Sequence, residues 1–121
     1  MNNDRRKIVI ADDNYELCDV LKTILEAENY EVAFVHDGFS LISYLKETQD
    51  VDVIILDLIM PRRGGISIFE TVRSISPASK LIIYTGYPDY KHSVFGREAD
   101  AFVDKTEGAE RLLEILKELL D

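Results

Sequence analysis

Apolar residues in this chain follow two alternating rhythms. Short, mostly β-branched runs stand at Ile8-Val9-Ile10-Ala11, Val32-Ala33-Phe34-Val35, Val53-Ile54-Ile55-Leu56, Leu81-Ile82-Ile83-Tyr84 and Ala101-Phe102-Val103. Between and after them, apolar positions recur at helical spacing. Leu17, Val20, Leu21 and Ile24 make one stripe, Leu41, Ile42 and Leu45 a second, and Ile66, Ile68, Phe69 and Val72 a third. Leu112, Leu113, Ile115, Leu116, Leu119 and Leu120 close the chain. The punctuation agrees: Asp37-Gly38 precedes the second helix, Ser76-Pro77 ends the third, Pro88 opens a fourth, and Thr106 N-caps the last.

Unbroken apolar runs suit strands covered on both faces, which means a parallel sheet with crossover helices. Five βα units result, an α/β fold. Right-handed crossovers favour a five-stranded parallel sheet of order 2-1-3-4-5, doubly wound and flavodoxin-like, with helices on both faces. In that arrangement function gathers at the carboxyl ends of the strands, near the switch point between strands 1 and 3.

Composition narrows the classes. A length of 121 residues predicts a single domain, 1–121, with no output module inside it. With 14 Lys+Arg against 23 Asp+Glu the net charge is −9. That balance argues against direct nucleic-acid binding and against an anionic membrane surface. The opening stretch, residues 1–7, is basic but lacks the apolar segment of a secretory signal. A lone cysteine, Cys18, makes no intrachain disulfide and reads as a small buried hydrophobe, so a cytoplasmic setting is the default.

The residues just after each strand carry the chemistry. Asp12-Asp13 follow the first strand, Asp57 the third, Thr85-Gly86 close the fourth, and Asp104-Lys105 close the fifth. His36-Asp37 end the second strand, at the sheet edge. Three close carboxylates cannot all stay ionised unless a cation sits among them. Hard carboxylate oxygens suit Mg²⁺ (or Mn²⁺) better than a soft metal. A divalent ion there draws a phosphate oxygen towards Asp57, Lys105 neutralises a second, and the Thr85 hydroxyl donates to a third. A carboxylate nucleophile with such partners describes phosphoryl acceptance to give an acyl phosphate. Singly, each Asp is an ordinary turn residue; the signal is their co-location at one sheet edge.

On these residues the chain resembles the receiver domain of bacterial two-component response regulators over essentially its whole length. Asp12-Asp13, Asp57-Leu58-Ile59-Met60-Pro61 with Gly65, Thr85-Gly86, and Phe102-Val103-Asp104-Lys105 carry the resemblance. It implies that Asp57 is the phosphoacceptor. Asp13, Asp57 and the Ile59 backbone carbonyl would ligate Mg²⁺, with Asp12 acting largely through water. Lys105 would hold the phosphoryl group, Thr85 would swing towards it, and Phe102 would turn inward as an aromatic switch. The donor would be a phosphohistidine of a sensor histidine kinase or phosphotransfer protein, with acetyl phosphate as a small-molecule substitute. The chain would be a regulatory switch rather than a turnover enzyme, read out on the face of the fourth helix, fifth strand and fifth helix. Ile59 and Tyr87 match positions that tune phosphoryl lifetime; both are bulky and offer nothing to orient an attacking water, so slow self-dephosphorylation is expected.

The chain departs from the family pattern in places. Thr106 follows Lys105 where the family usually has proline, which leaves the turn there open. Thr85 and Lys105 stand closer together than usual, so the fourth helix is expected to be short or irregular, with Gly96 near its end. Glu98 replaces a usual glycine.

Rival functions differ in what they need. A haloacid-dehalogenase-type phosphohydrolase wants an Asp where Ile59 stands. An FMN binder wants amides and hydroxyls where Asp12-Asp13-Asn14 stand. A degenerate, phosphate-independent receiver would not need Asp57, Thr85 and Lys105 together. His36 and His92 read as surface or loop histidines, and Arg62-Arg63 as a solvated pair or an attractor for an acidic partner. Tyr84, Tyr87 and Tyr90 make no stacking platform in so acidic a chain. The terminal leucine stripe is chiefly core and allows a phosphorylation-dependent dimer. An output domain following Asp121 is compatible with everything above.

Overall fold

The computed structural model describes residues 5–120; residues 1–4 of the basic opening stretch, and Asp121, lie outside the described residues. Five strands, β1 (Lys7–Ala11), β2 (Glu31–Val35), β3 (Val53–Leu56), β4 (Lys80–Thr85) and β5 (Ala101–Asp104), form one parallel sheet in the order 2-1-3-4-5. Helices α1 (Tyr15–Ala27), α2 (Gly38–Glu47), α3 (Gly65–Ile75), α4 (Val94–Glu98) and α5 (Gly108–Leu120) provide the crossovers and the chain's last element.

Successive strand side chains point to opposite faces, so each apolar run feeds two core layers. Ile8 and Ile10 of β1 join Ile55, Ile82 and Val103 beneath α1 and α5, which contribute Cys18, Leu21, Leu25, Leu112 and Leu116. Val9 and Ala11 join Ile54, Leu56, Leu81 and Ile83 beneath α2 and α3, which contribute Leu41, Leu45, Ile68 and Val72. Each of these buried Leu or Ile side chains is worth about 1.5–3 kcal/mol of transfer free energy, which fixes the register and with it the level of every strand end.

Three local expectations are corrected. The buried stripe of α1 is Cys18, Leu21 and Leu25, and Val20 stands in solvent. Thr106 is not the N-cap of the last helix. Asp104 caps a 3-10 turn, Lys105–Glu107, by accepting from the Thr106 N–H while Glu107 accepts from the Asp104 N–H; Gly108, at φ 86°, then turns the chain into α5. Pro88 opens a 3-10 turn, Pro88–His92, rather than an α-helix, and α4 follows it with Ser93 as N-cap and Gly96 at its middle. Like every other described peptide bond, the one after Lys105 is trans.

Candidate functional site

Register brings the chemistry together. Ala11 pairs with Leu56 on one side and Val35 on the other, so the residues that follow, Asp12, Asp57 and His36, lie abreast at the carboxyl edge. The Asp57 N–H donates to the Ala11 carbonyl at 3.0 Å and the Asp12 N–H to Val35 at 3.1 Å, extending both ladders by one residue. On the other side, Thr85 pairs with Asp104 and delivers Lys105 just beyond.

Lys105 stands between two buried carboxylates. Its Nζ is 2.7 Å from Asp12 Oδ2 and 2.9 Å from Asp57 Oδ2. Both acids are almost fully buried, whereas Asp13 is exposed, and one oxygen from each of the three lies within 4.8 Å of the others. Asp57 Oδ1 also accepts from the Ile59 N–H at 3.2 Å, and Asp12 Oδ1 from the Asn14 N–H at 2.9 Å. Asn14 in turn N-caps α1, its side chain accepting from Leu17. Three carboxylates against one ammonium leave a formal charge of −2 at the mouth of the site. That charge, and a set of hard oxygen donors, fit a divalent cation of the Mg²⁺ type.

The electrostatics reflect this crowding. Burial is the largest influence on Asp12 and pushes its carboxyl above the ordinary aspartate range, against the opposing pull of Lys105 and the Asn14 N–H. Burial works against the Lys105 ammonium too, but its hydrogen bonds to Asp12 and Asp57 outweigh it and hold the group protonated. Cys18 lies just beneath; burial, helped by the Asp12 charge, pushes its thiol up to about 12, so it stays protonated and inert.

Asp12, Asp13, Asp57, Ile59, Tyr87 and Lys105 all border one open cleft of about 550 Å³. Ile59 and Tyr87 form its exposed apolar rim. Thr85 does not line the cleft: it is fully buried, and its Oγ1 has no hydrogen-bond partner among the described residues. Phe102 is not at the site either; it is partly buried against the α2–α3 core layer. A larger cleft beside α3, bordered by Phe69, Arg73 and Glu98, lies away from the aspartates, and its one guanidinium is engaged by the Glu98 carbonyl and Asp100.

The sequence pattern alone does not single out His36. It is only partly exposed, its ring lies on Tyr15 with centroids 3.5 Å apart, and Nδ1 is 2.9 Å from the Asp12 carbonyl oxygen. The available signal is lateral: strand order 2-1-3 places the residue after β2 beside the residue after β1. Arg62 and Arg63 do form a solvent-facing pair, both at positive φ, with guanidinium groups 5.7 Å from the Phe39 ring. His92 ends the 3-10 turn and is exposed.

Residues 8–117 match the family described as the response regulator receiver domain. The chain belongs to this family. Among curated relatives, the transcriptional regulatory protein CpxR of Escherichia coli K12 is 32% identical over 101 residues, covering 82% of this chain and 42% of CpxR. The chain thus spans about two-fifths of the length of that relative. The response regulator TrrA of Thermotoga maritima, solved in complex with Mg²⁺-BeF, superimposes with a TM-score of 0.87 at 28% identity, over 95% of this chain and 99% of TrrA. TrrA in complex with the histidine kinase ThkA gives a TM-score of 0.86 at 28% identity, over 96% and 99% of the two chains. The chain is therefore a receiver domain of the two-component response-regulator type, with the sheet order and helices expected of one. Among the described residues, no helix of this receiver is long and apolar enough to cross a membrane.

Proposed function

We propose that this receiver is a cytoplasmic, phosphorylation-activated switch that takes a phosphoryl group on Asp57 from a phosphohistidine of a sensor kinase or phosphotransfer protein. The observation that carries the reading is Lys105: one ammonium bridges the buried Asp12 and Asp57, near a third carboxylate and a buried Thr85 hydroxyl that has no partner among the described residues. A phosphoryl group on Asp57 would engage the ammonium and the hydroxyl, while a divalent cation among the carboxylates would offset its added charge.

An Asp57 carboxylate oxygen attacks phosphorus while the bond from phosphorus to the donor's imidazole nitrogen breaks; the electron pair stays on that nitrogen, which takes a proton from solvent. With acetyl phosphate the P–O bond breaks instead and acetate leaves. Asp13, Asp57 and the Ile59 carbonyl, with Asp12 through water, would hold Mg²⁺ (or Mn²⁺), which would supply positive charge to the transferring oxygens. Lys105 turns from Asp57 Oδ2 to the new phosphoryl oxygen and keeps its hold on Asp12. Thr85 donates its free hydroxyl to another phosphoryl oxygen, and Phe102 moves into the space that this shift opens behind Thr85. The signal then appears on the face made by α4, β5 and α5, for an output domain that follows or for a phosphorylation-dependent dimer. The Ile59 position speaks against a phosphohydrolase: an isoleucine can neither protonate a leaving group nor activate water.

Intact mass after incubation with acetyl phosphate and Mg²⁺ tests the reading. One phosphoryl group is expected on the parent and none on Asp57→Asn; an adduct on both, or on neither, would overturn it.

A further inference from the structure

Every polar atom of Asp12 is spoken for, and the least obvious partner is a histidine from the neighbouring strand. The Asp12 carbonyl carries no proton, so the 2.9 Å contact requires His36 Nδ1 to bear hydrogen and donate. Cys18 Sγ, at 3.6 Å, donates to the same oxygen from below. The Asp12 carbonyl and the Asp13 N–H share one rigid peptide plane. Fixing that oxygen therefore fixes the direction in which the chain enters Asp13. Tyr15, the first residue of α1, lies on the imidazole at 21° between planes, and Phe34 touches it at 5.2 Å, so the ring itself is held.

We propose that His36 is a positioning residue: its Nδ1–H sets the Asp12–Asp13 peptide so that both carboxylates face Asp57, and it thereby tunes affinity for the divalent cation. The inference rests on the phosphoacceptor reading above. His36 touches neither cation nor phosphoryl group, and it acts through backbone, one covalent step further than a partner bonded directly to a ligand. Direct partners are worth about 10–100-fold in metal affinity; about 3–10-fold is expected here.

Two variants separate donor from ring. His36→Phe keeps the stack on Tyr15 and loses the donor, whereas in His36→Asn the side-chain amide nitrogen takes the place of Nδ1 and the ring is lost. Direct Mn²⁺ binding, followed by water-proton relaxation, should weaken about 3–10-fold in His36→Phe and stay within about twofold of parent in His36→Asn. Half-saturating Mg²⁺ for adduct formation from acetyl phosphate should rise by the same factor in His36→Phe, with the rate at saturating Mg²⁺ much less affected. Tyr15→Ala, at an exposed position, frees the ring and should shift half-saturation in the same direction by a smaller factor. Parental Mn²⁺ affinity in His36→Phe, or equal weakening in His36→Phe and His36→Asn, overturns the proposal while leaving phosphorylation of Asp57 intact. A parent chain that forms no adduct and binds no Mn²⁺ overturns both.

Discussion

Lys105 is the residue on which the site balances. It offers one positive charge to two buried carboxylates, and a divalent cation drawn to the cluster offers the same oxygens a second source of charge. Removing a partner from a fully buried pair costs about 3–5 kcal/mol; Lys105 is 24% exposed, so about 1–3 kcal/mol is the better expectation. Lys105→Met should therefore unfold at lower temperature than parent in EDTA, and Mg²⁺ should recover most of the difference. A Mg²⁺-induced rise in Tm no larger in the variant than in parent would show that lysine and cation do not share these oxygens. At the rim, Ile59 presents an apolar side chain, 40% exposed, where an amide would orient water. Ile59→Asn should shorten the acyl-phosphate half-life several-fold, read as decay of the phosphorylated mass; no acceleration would remove Ile59 as the cause of a long lifetime. Asp12, Asp13, Asp57, Thr85 and Lys105 are legible in the amino-acid pattern because each sits at the end of an apolar run. His36 also follows an apolar run but is not legible, because the role proposed for it depends on a neighbour across the sheet rather than on its own segment.

At the scale of elements, strands are the clearest and helix faces less so. Strand limits follow from unbroken apolar runs and hold to within one residue at each end. The α1 stripe slips because Leu17, Val20 and Leu21 outweigh a cysteine on a hydrophobic count, although Cys18, Leu21 and Leu25 have the 3-then-4 spacing of one buried face. Thr106 draws the cap assignment, but Asp104 with Glu107 three residues on is itself a capping box. Asp37 stands where its place before the second helix predicts: its carboxylate accepts the Ser40 N–H at 2.8 Å at the start of α2, with Arg62 at 3.6 Å. Chiefly that backbone hydrogen bond lowers its pKa below the ordinary 3.8. The unfolded chain thus binds its proton first as pH falls. The charge-dependent stabilisation is fully present above 3.8 and is lost as pH drops through the lower folded-state value. Asp37→Ala should cost about 0.5–2 kcal/mol at pH 7 and less at pH 2–3, measured by urea unfolding. A deficit that is constant with pH would mean that the charged cap is not the source. Gly65 carries a second element-level constraint, since a Cβ there would come within 2.5 Å of the Asp57 carbonyl oxygen. Gly65→Ala should push α3 off the β3 end and slow adduct formation even though no site residue changes.

Seen whole, the molecule is unevenly built. Four helices bury apolar stripes against the sheet, whereas α4 has five residues and none of them is buried. It packs chiefly on the 3-10 turn before it, and side chains of α3 tie it to the rest. Phe95 meets Phe69 edge-on at 5.5 Å, and the Arg73 guanidinium reaches the Glu98 carbonyl at 2.8 Å and Asp100 Oδ2 at 3.3 Å. Asp100 Oδ2 in turn accepts the Leu81 N–H at 2.7 Å, so the segment before β5 is pinned to the start of β4. A segment with little buried apolar surface opens at low free energy, and a switch draws on such segments. Hydrogen exchange should accordingly show amides of residues 94–100 opening locally, while those of β1 and the centre of β4 exchange only with global unfolding. Arg73→Ala removes both of its hydrogen bonds to Glu98 and Asp100, at about 1 kcal/mol for each one lost to solvent. Protection across residues 94–100 should then fall at least about tenfold beyond any global change. Phosphorylation of Asp57 should alter protection in the same stretch and along β5 and α5, through Thr85 and Phe102, more than in α1 or α2. If the adduct instead changes α1 and α2 and leaves residues 94–104 as they were, the signal leaves this receiver by a different face.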